Sequence, residues 1–179
     1  MTSVTSPNMA ELVEYNPPLH TITREARDTA QKKSAEMGIV RGSIHQGTRN
    51  YQGFLGEEIA SWELEAKVSN TYDYDLILPD GKTVDVKTVL SDYPPQPHYD
   101  CRVEQTDYKA KAGYNCDYFA FVRIVKSHKQ GWYLGKIGKE DFFKKAEFKR
   151  KGDSFQAGRN NLQFKGDCYI ILAKELHLQ

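Results

Sequence analysis

The chain has 179 residues, of which 39% are hydrophobic and 27% charged, a composition that suits one soluble globular domain with a proper core. Its 25 basic and 24 acidic residues leave a formal net charge of +1, so overall charge singles out no partner. No run approaches the roughly 18 apolar residues of a membrane span, "MTSVTSPNMAELVEYNPPLH" lacks the basic start and apolar stretch of a signal peptide, and the three scattered cysteines, Cys101, Cys116 and Cys168, form no CxxC pair. Such cysteines fit reduced thiols in a cytoplasm and argue against a disulfide frame or a zinc knuckle.

Residues 1–20 are polar, carry "NPP" and read as a flexible N-terminal arm; residues 21–179 read as a single domain. "TITREARDTAQKKSAEMG" predicts a first helix that Thr23 caps and Gly38 ends. "VRGSIHQGTRN" is a glycine-bearing loop with Arg41 and Arg49. "YQGFLGEEIASWELEAKV" predicts a second helix with Leu55, Ile59, Trp62 and Ala66 as its apolar stripe. A hairpin, "YDYDLILPDGKTVDVKTV", follows. "SDYPPQPHYD", with three prolines in four positions, is a loop. "CRVEQTDYKAKAGY" passes from strand end to helix. "CDYFAFVRIVKS" is the most apolar run and predicts a central strand. "GWYLGKIG" is its hairpin partner, "KEDFFKKAEF" a short helix, "KRKGDSFQAGRNNLQFKGD" a basic loop, and "CYIILAKEL" a closing strand. This mixture predicts an α/β or α+β class with a mixed central sheet.

The hairpin carries the chemistry. Pro79, Asp80 and Gly81 suit a type I turn followed by a left-handed glycine, a three-residue loop with a glycine bulge. Leu78 then faces Lys82, paired positions sum to 160, and Asp75 falls opposite Asp85. Alternation puts Tyr74, Leu76, Leu78, Val84 and Val86 on an apolar face, and Asp73, Asp75, Ile77, Thr83, Asp85 and Lys87 on the other. Two carboxylates across a strand pair repel, and a divalent metal offsets that repulsion; Mg²⁺ needs only such oxygens, a backbone carbonyl and waters. Lys87 shares the face of Asp85. The competing reading is a solvated outer face on which Lys82 and Lys87 balance the acids.

These residues resemble the PD-(D/E)xK nuclease superfamily, the restriction-endonuclease-like fold. Its pattern is an acid-bearing helix, an acid near the start of a strand, then (D/E)xK on the next strand; the matches are "GFLGEEIA", "YDLIL" and "DVK". The resemblance continues through "CRVEQTDYKAKAGYNCDYFAFVRI" and covers roughly residues 51–125. The literal "PD" at Pro79-Asp80 belongs to the turn; the family's aspartate corresponds to Asp75, preceded here by Tyr74.

The resemblance implies a restriction-endonuclease-like core with a central mixed sheet flanked by helices. It implies a Mg²⁺-dependent nuclease, with Mn²⁺ as a substitute, that hydrolyses phosphodiester bonds of nucleic acid, foremost as a DNA endonuclease. Asp75 and Asp85 would be metal ligands with the Val86 carbonyl, and Lys87 would position or activate the nucleophilic water. The helix acid is Glu57 or Glu58; the family's "GE" spacing, with Ala60 and Leu64 following, selects Glu57 as catalytic and metal-binding, whereas the helical wheel leaves Glu58 open. Gln105 matches a polar position near the site. Substrate phosphates would meet Arg49, Gln105, Lys109 and Lys111, with Arg41, the "KKAEFKRKG" run, Arg159 and Lys165 as further basic groups. Phe155 and Phe164 could stack on bases. Two strands cut by two sites suggest a homodimer, and the location is cytoplasmic, that of the host cell for a phage-borne enzyme. The alternatives are an inactive nucleic-acid-binding module on the same fold, a structure-specific junction resolvase, or an exonuclease. His128, beside Lys126 and Lys129, reads as a turn residue.

Overall fold

The computed structural model describes residues 15–37, 50–69, 71–157 and 160–177. In chain order the elements are β1 (Leu19–Thr21), α1 (Arg24–Met37), α2 (Asn50–Glu63), β2 (Lys67–Val68), β3 (Leu76–Ile77), β4 (Thr83–Ser91), β5 (Asp100–Glu104), α3 (Asp107–Ala112), β6 (Tyr118–Val125), β7 (Gln130–Gly138), α4 (Lys139–Lys145), β8 (Glu147–Lys149), β9 (Ser154–Ala157), β10 (Asn160–Gln163) and β11 (Cys168–Leu172). This is an α+β chain. No helix among the described residues is long and apolar enough to cross a membrane.

The main sheet runs β1-β7-β6-β4-β3-β2. Its only parallel pair is β4 with β6, Asp85 opposite Phe119 and Lys87 opposite Phe121; the remaining neighbours are antiparallel. β6 lies inside the sheet, as its apolar run, interrupted only by Arg123, predicts. A second sheet, β5-β11-β8, is antiparallel, and β9 and β10 form a separate hairpin.

Two apolar layers sandwich the main sheet. On one face Leu76, Val84, Val86, Ala120, Val122 and Ile124 pack against Ala26 and Ala30 of α1 and Leu55, Ile59 and Ala60 of α2. On the other, Phe119, Phe121, Leu134 and Ile137 pack against Phe142 of α4 and Cys101, Val103 and Ile171 of the second sheet. All three cysteines are free and buried, so they act as small core residues.

Thr23 caps α1: its Oγ1 accepts from the Ala26 amide at 3.1 Å. The expected arm is shorter than residues 1–20. Leu19 pairs with Trp132 and Thr21 with Gln130, and the Pro18 carbonyl accepts from the Tyr133 amide at 3.1 Å. These residues complete the outer hydrogen-bond row of β7, which would otherwise be a bare sheet edge. Residues 1–14 lie outside the described residues, as does Gly38.

Three further expectations change. Trp62 is 40% exposed, and α2 ends at Glu63 before Ala66; Gly56 and Ala60 complete the buried stripe with Leu55 and Ile59. The basic segment after α4 contains three strands, β8 to β10, each of only three or four residues, and the charges and glycines of the connections between them hide the alternation. His128 does sit in the β6–β7 turn, in a left-handed backbone conformation (φ 57°).

Candidate hydrolytic site

Local turn chemistry sets the hairpin. Leu78 N donates to Lys82 O at 2.8 Å and Gly81 N to Leu78 O at 2.9 Å. Asp80 Oδ1 accepts from the Lys82 amide at 3.0 Å, and Gly81 takes the left-handed conformation (φ 85°) that a β-carbon disfavours. The register is the expected one: Leu76 opposite Val84 and Ile77 opposite Thr83.

Just before β3 the regular alternation breaks. The Asp75 amide donates to the Val84 carbonyl at 2.9 Å, although Val84 already pairs with Leu76. Two residues against one make a bulge. Tyr74 therefore packs with the Phe119–Phe142 layer, not with Leu76, Val84 and Val86 as strict alternation predicts. Asp75 is fixed in the gap. Its Oδ2 accepts from the Val86 amide at 2.7 Å, and its carbonyl from the Ser69 amide at 2.7 Å. The side chain continues the ladder where β3 stops. The Val86 carbonyl shares its residue's in-plane side in a strand, so it too faces this gap.

Asp85 is buried, 7% exposed, and its Oδ1 pairs with Lys87 Nζ at 2.7 Å. Burial raises the Asp75 carboxyl to about 7; the Asp85 charge and the hydrogen bond that the Asp75 carboxyl, when protonated, makes to the Asp85 side chain add to this, against Lys87 and the Val86 amide. The two carboxyl groups thus meet, though through a bulge and not as a regular cross-strand pair. Burial raises Glu57 to about 8, with Asp75 and Asp85 adding to the shift and Lys33 of α1 opposing it. Glu57 is therefore the α2 acid that faces the pair; Glu58 accepts from Ser61 Oγ through its main-chain carbonyl at 2.8 Å. For Lys87, burial works against the ammonium, but Asp85 and Asp75 outweigh it and hold its value above that of free lysine. Asp75 and Asp85 thus share the Lys87 ammonium, while Lys33 of α1 opposes the charge at Glu57.

α2 reaches this position because Gly56 lets the helix lie directly on β4 at Thr88. The Thr88 side chain points into that contact, on the opposite face of β4 from Lys87.

Of the expected substrate residues, Gln105 follows β5, where Tyr114 Oη donates to its Oε1 at 2.7 Å. Lys109 and Lys111 lie on α3, the Lys109 ammonium 5.4 Å from the Tyr114 ring centroid. Lys165 is exposed. Arg41, Arg49 and Arg159 lie outside the described residues. Phe164 is 4% exposed and pairs with Phe155 at 4.6 Å. The Arg102 guanidinium lies over both rings, 4.4 Å from the Phe155 centroid and 4.7 Å from that of Phe164, so Phe164 is a packing residue and not a free stacking platform.

Sequence reasoning missed the segment Tyr114–Asp117. Asn115 Nδ2 donates to Asp73 Oδ1 at 3.2 Å. Asp117 Oδ2 accepts from the Thr83 amide at 2.8 Å and from Thr83 Oγ1 at 3.0 Å, bonds that hold its carboxyl below the usual range. Cys116 is pushed up to about 12 by burial and by Asp85, against Lys87, Lys139 and Lys109. No short-range signal marks Asn115 or Asp117, because their partners lie 42 and 34 positions away.

The donors fit a hard divalent cation in kind. Asp75, Asp85 and the Val86 carbonyl offer only oxygens, and a close pair of buried acids calls for positive charge. Among the described residues no three His, Cys, Asp or Glu side chains form a ready metal-binding group; Asp75 and Asp85 form a pair and Glu57 stands at electrostatic range. No protein-family model matches the chain, and no curated protein matches it.

Proposed function

We propose that the chain is a metal-dependent nuclease that hydrolyses phosphodiester bonds, foremost in DNA, on a restriction-endonuclease-like core. The observation that carries this reading is the meeting of Asp75, Asp85 and Lys87 with the α2 acid Glu57. The order of elements supports it: acid-bearing helix, Asp75, the Asp85–Lys87 strand, a helix, then the apolar strand β6 parallel to β4.

Asp75, Asp85 and the Val86 carbonyl would hold Mg²⁺ or Mn²⁺, with Glu57 at its edge. When bound, the cation supplies Lewis acidity and the charge that offsets the carboxylates. The chain's own groups do the rest. The Val86 amide fixes Asp75. Lys87, held cationic by its acidic neighbours, steadies negative charge growing on the phosphate and orients the attacking water. Glu57, whose carboxyl is made more basic by burial and by Asp75 and Asp85, would accept at an Oε atom the proton that the attacking water loses.

The 2.7 Å Lys87–Asp85 pair favours a second reading, a nucleic-acid-binding module without hydrolysis, since the lysine already neutralises this acid. Incubating the purified protein with plasmid, single-stranded DNA and RNA in Mg²⁺, Mn²⁺ or EDTA separates the two. Metal-dependent cutting supports the nuclease; tight binding without cutting in any metal supports the module.

A further inference from the structure

Gln105 is tethered at both its main chain and its side chain. Its amide donates to the Asp167 carbonyl at 2.9 Å, and its Oε1 accepts from Tyr114 Oη at 2.7 Å. The same hydroxyl lies 2.9 Å from the Glu104 carbonyl, so its one proton serves two acceptors, Gln105 Oε1 at the shorter distance.

The tyrosine itself is held firmly. Its ring lies edge-on to Phe119 with centroids 5.6 Å apart and tilted against Phe143 at 5.1 Å. Its carbonyl accepts from Lys139 Nζ at 3.0 Å. Two residues on, Cys116 is buried within the electrostatic reach of Asp85 and Lys87. Asn115 and Asp117 fasten the same segment to Asp73 and Thr83, on either side of the acid pair.

We propose that Tyr114 is a positioning residue, holding the Gln105 amide at the rim of the Asp85–Lys87 site so that its N–H groups bind a phosphate oxygen of the nucleic acid. This rests on the nuclease reading. With Oε1 bound to the phenol, the amide offers two donors, which suit an anionic phosphate oxygen and not a cation. A free glutamine would have to lose its rotamer freedom on each binding event; here Tyr114 has already fixed it.

The test compares Tyr114→Phe, Gln105→Ala and the double variant. Tyr114→Phe removes one oxygen and keeps the ring packing. Melting temperature should stay within a few degrees of wild type, and kcat should fall about tenfold with KM little changed. Gln105→Ala should show the same fall, and the double variant no further fall. A Tyr114→Phe enzyme as fast as wild type, or losses that multiply in the double variant, would overturn the proposal. A second measurement needs no turnover: the Gln105 side-chain ¹⁵N–¹H₂ signal, read with and without a short single-stranded oligodeoxynucleotide in Ca²⁺. It should be ordered in wild type, averaged in Tyr114→Phe, and shifted by the oligonucleotide in wild type only. Absence of cutting by the wild type defeats the nuclease reading alone; an equally mobile amide in both proteins defeats the role of Tyr114.

Discussion

Gly56 of α2 lies so close to Thr88 of β4 that a β-carbon at residue 56 would stand 1.8 Å from Thr88 Oγ1 and 2.9 Å from Thr88 Cβ. No side chain fits there unless the helix lifts. The next residue is Glu57, so this packing contact sets where the third acid stands. Gly56→Ala should cost about 1–3 kcal/mol of stability through overpacking and should lower cleavage more than that loss of folded protein explains. Thr88→Ala added to Gly56→Ala should restore part of both. Thermal melts and cleavage rates of the two variants check this; a Gly56→Ala protein with wild-type stability would mean that the helix is not seated on β4.

The neighbouring acids of α2 should separate cleanly. Glu57 senses Asp75 and Asp85, so Glu57→Gln should reduce turnover by at least about tenfold. Glu58→Gln should leave turnover within about twofold of wild type. Single-turnover cleavage in Mg²⁺ measures both, and equal losses would return the helix acid to the ambiguity that the wheel alone leaves.

Stability should fall as pH rises when no divalent ion is present. The folded-state values of about 7 for Asp75 and about 8 for Glu57 lie above the roughly 4 of the unfolded chain. The native state therefore binds these protons more tightly. Their stabilising share is complete below about pH 4 and is lost as pH climbs through 7 and 8. In EDTA the melting temperature should drop between about pH 5 and pH 9, Asp75→Asn or Glu57→Gln should flatten the drop, and Mg²⁺ should offset it. A rising profile over that range would contradict the clustering of these acids.

Lys87→Ala should abolish cleavage while leaving most nucleic-acid binding to the outer lysines and arginines. On the sequence alone its loss opens no core cavity and should barely touch folding. The 2.7 Å bond to buried Asp85 changes that expectation. Without the ammonium, Asp85 and Asp75 face each other unrelieved, and the metal-free variant should lose about 1–3 kcal/mol. Mg²⁺ should restore stability but not turnover, and Lys87→Arg should not restore turnover, because a wide planar guanidinium replaces a compact charge. Chemical denaturation with and without Mg²⁺ gives the first number and cleavage assays the second.

What could be read from the sequence was local. Pro79-Asp80-Gly81 dictates its own turn and, through it, the Leu76–Val84 register. The apolar run of β6 announces a strand inside the sheet. The misplacement of Tyr74 has one cause: the bulge at Asp75 depends on the opposite strand, and no residue near Tyr74 signals it. Gly56 was legible as a glycine but not as a contact, since Thr88 lies 32 positions away. The strands β8 to β10 have three or four residues each, and Arg102, lying over Phe155 and Phe164, holds that region by a pairing across more than 50 positions.

The carboxylate of Asp75 stands where the next main-chain carbonyl of a longer β3 would have stood, and it takes the Val86 proton at 2.7 Å. That makes one backbone N–H a spectroscopic probe of the candidate site. An anionic acceptor strengthens the bond and moves the Val86 proton downfield, and protonating Asp75 moves it back. Following that single resonance against pH and against added cation reports the charge state of Asp75 directly, without any nucleic acid in the tube.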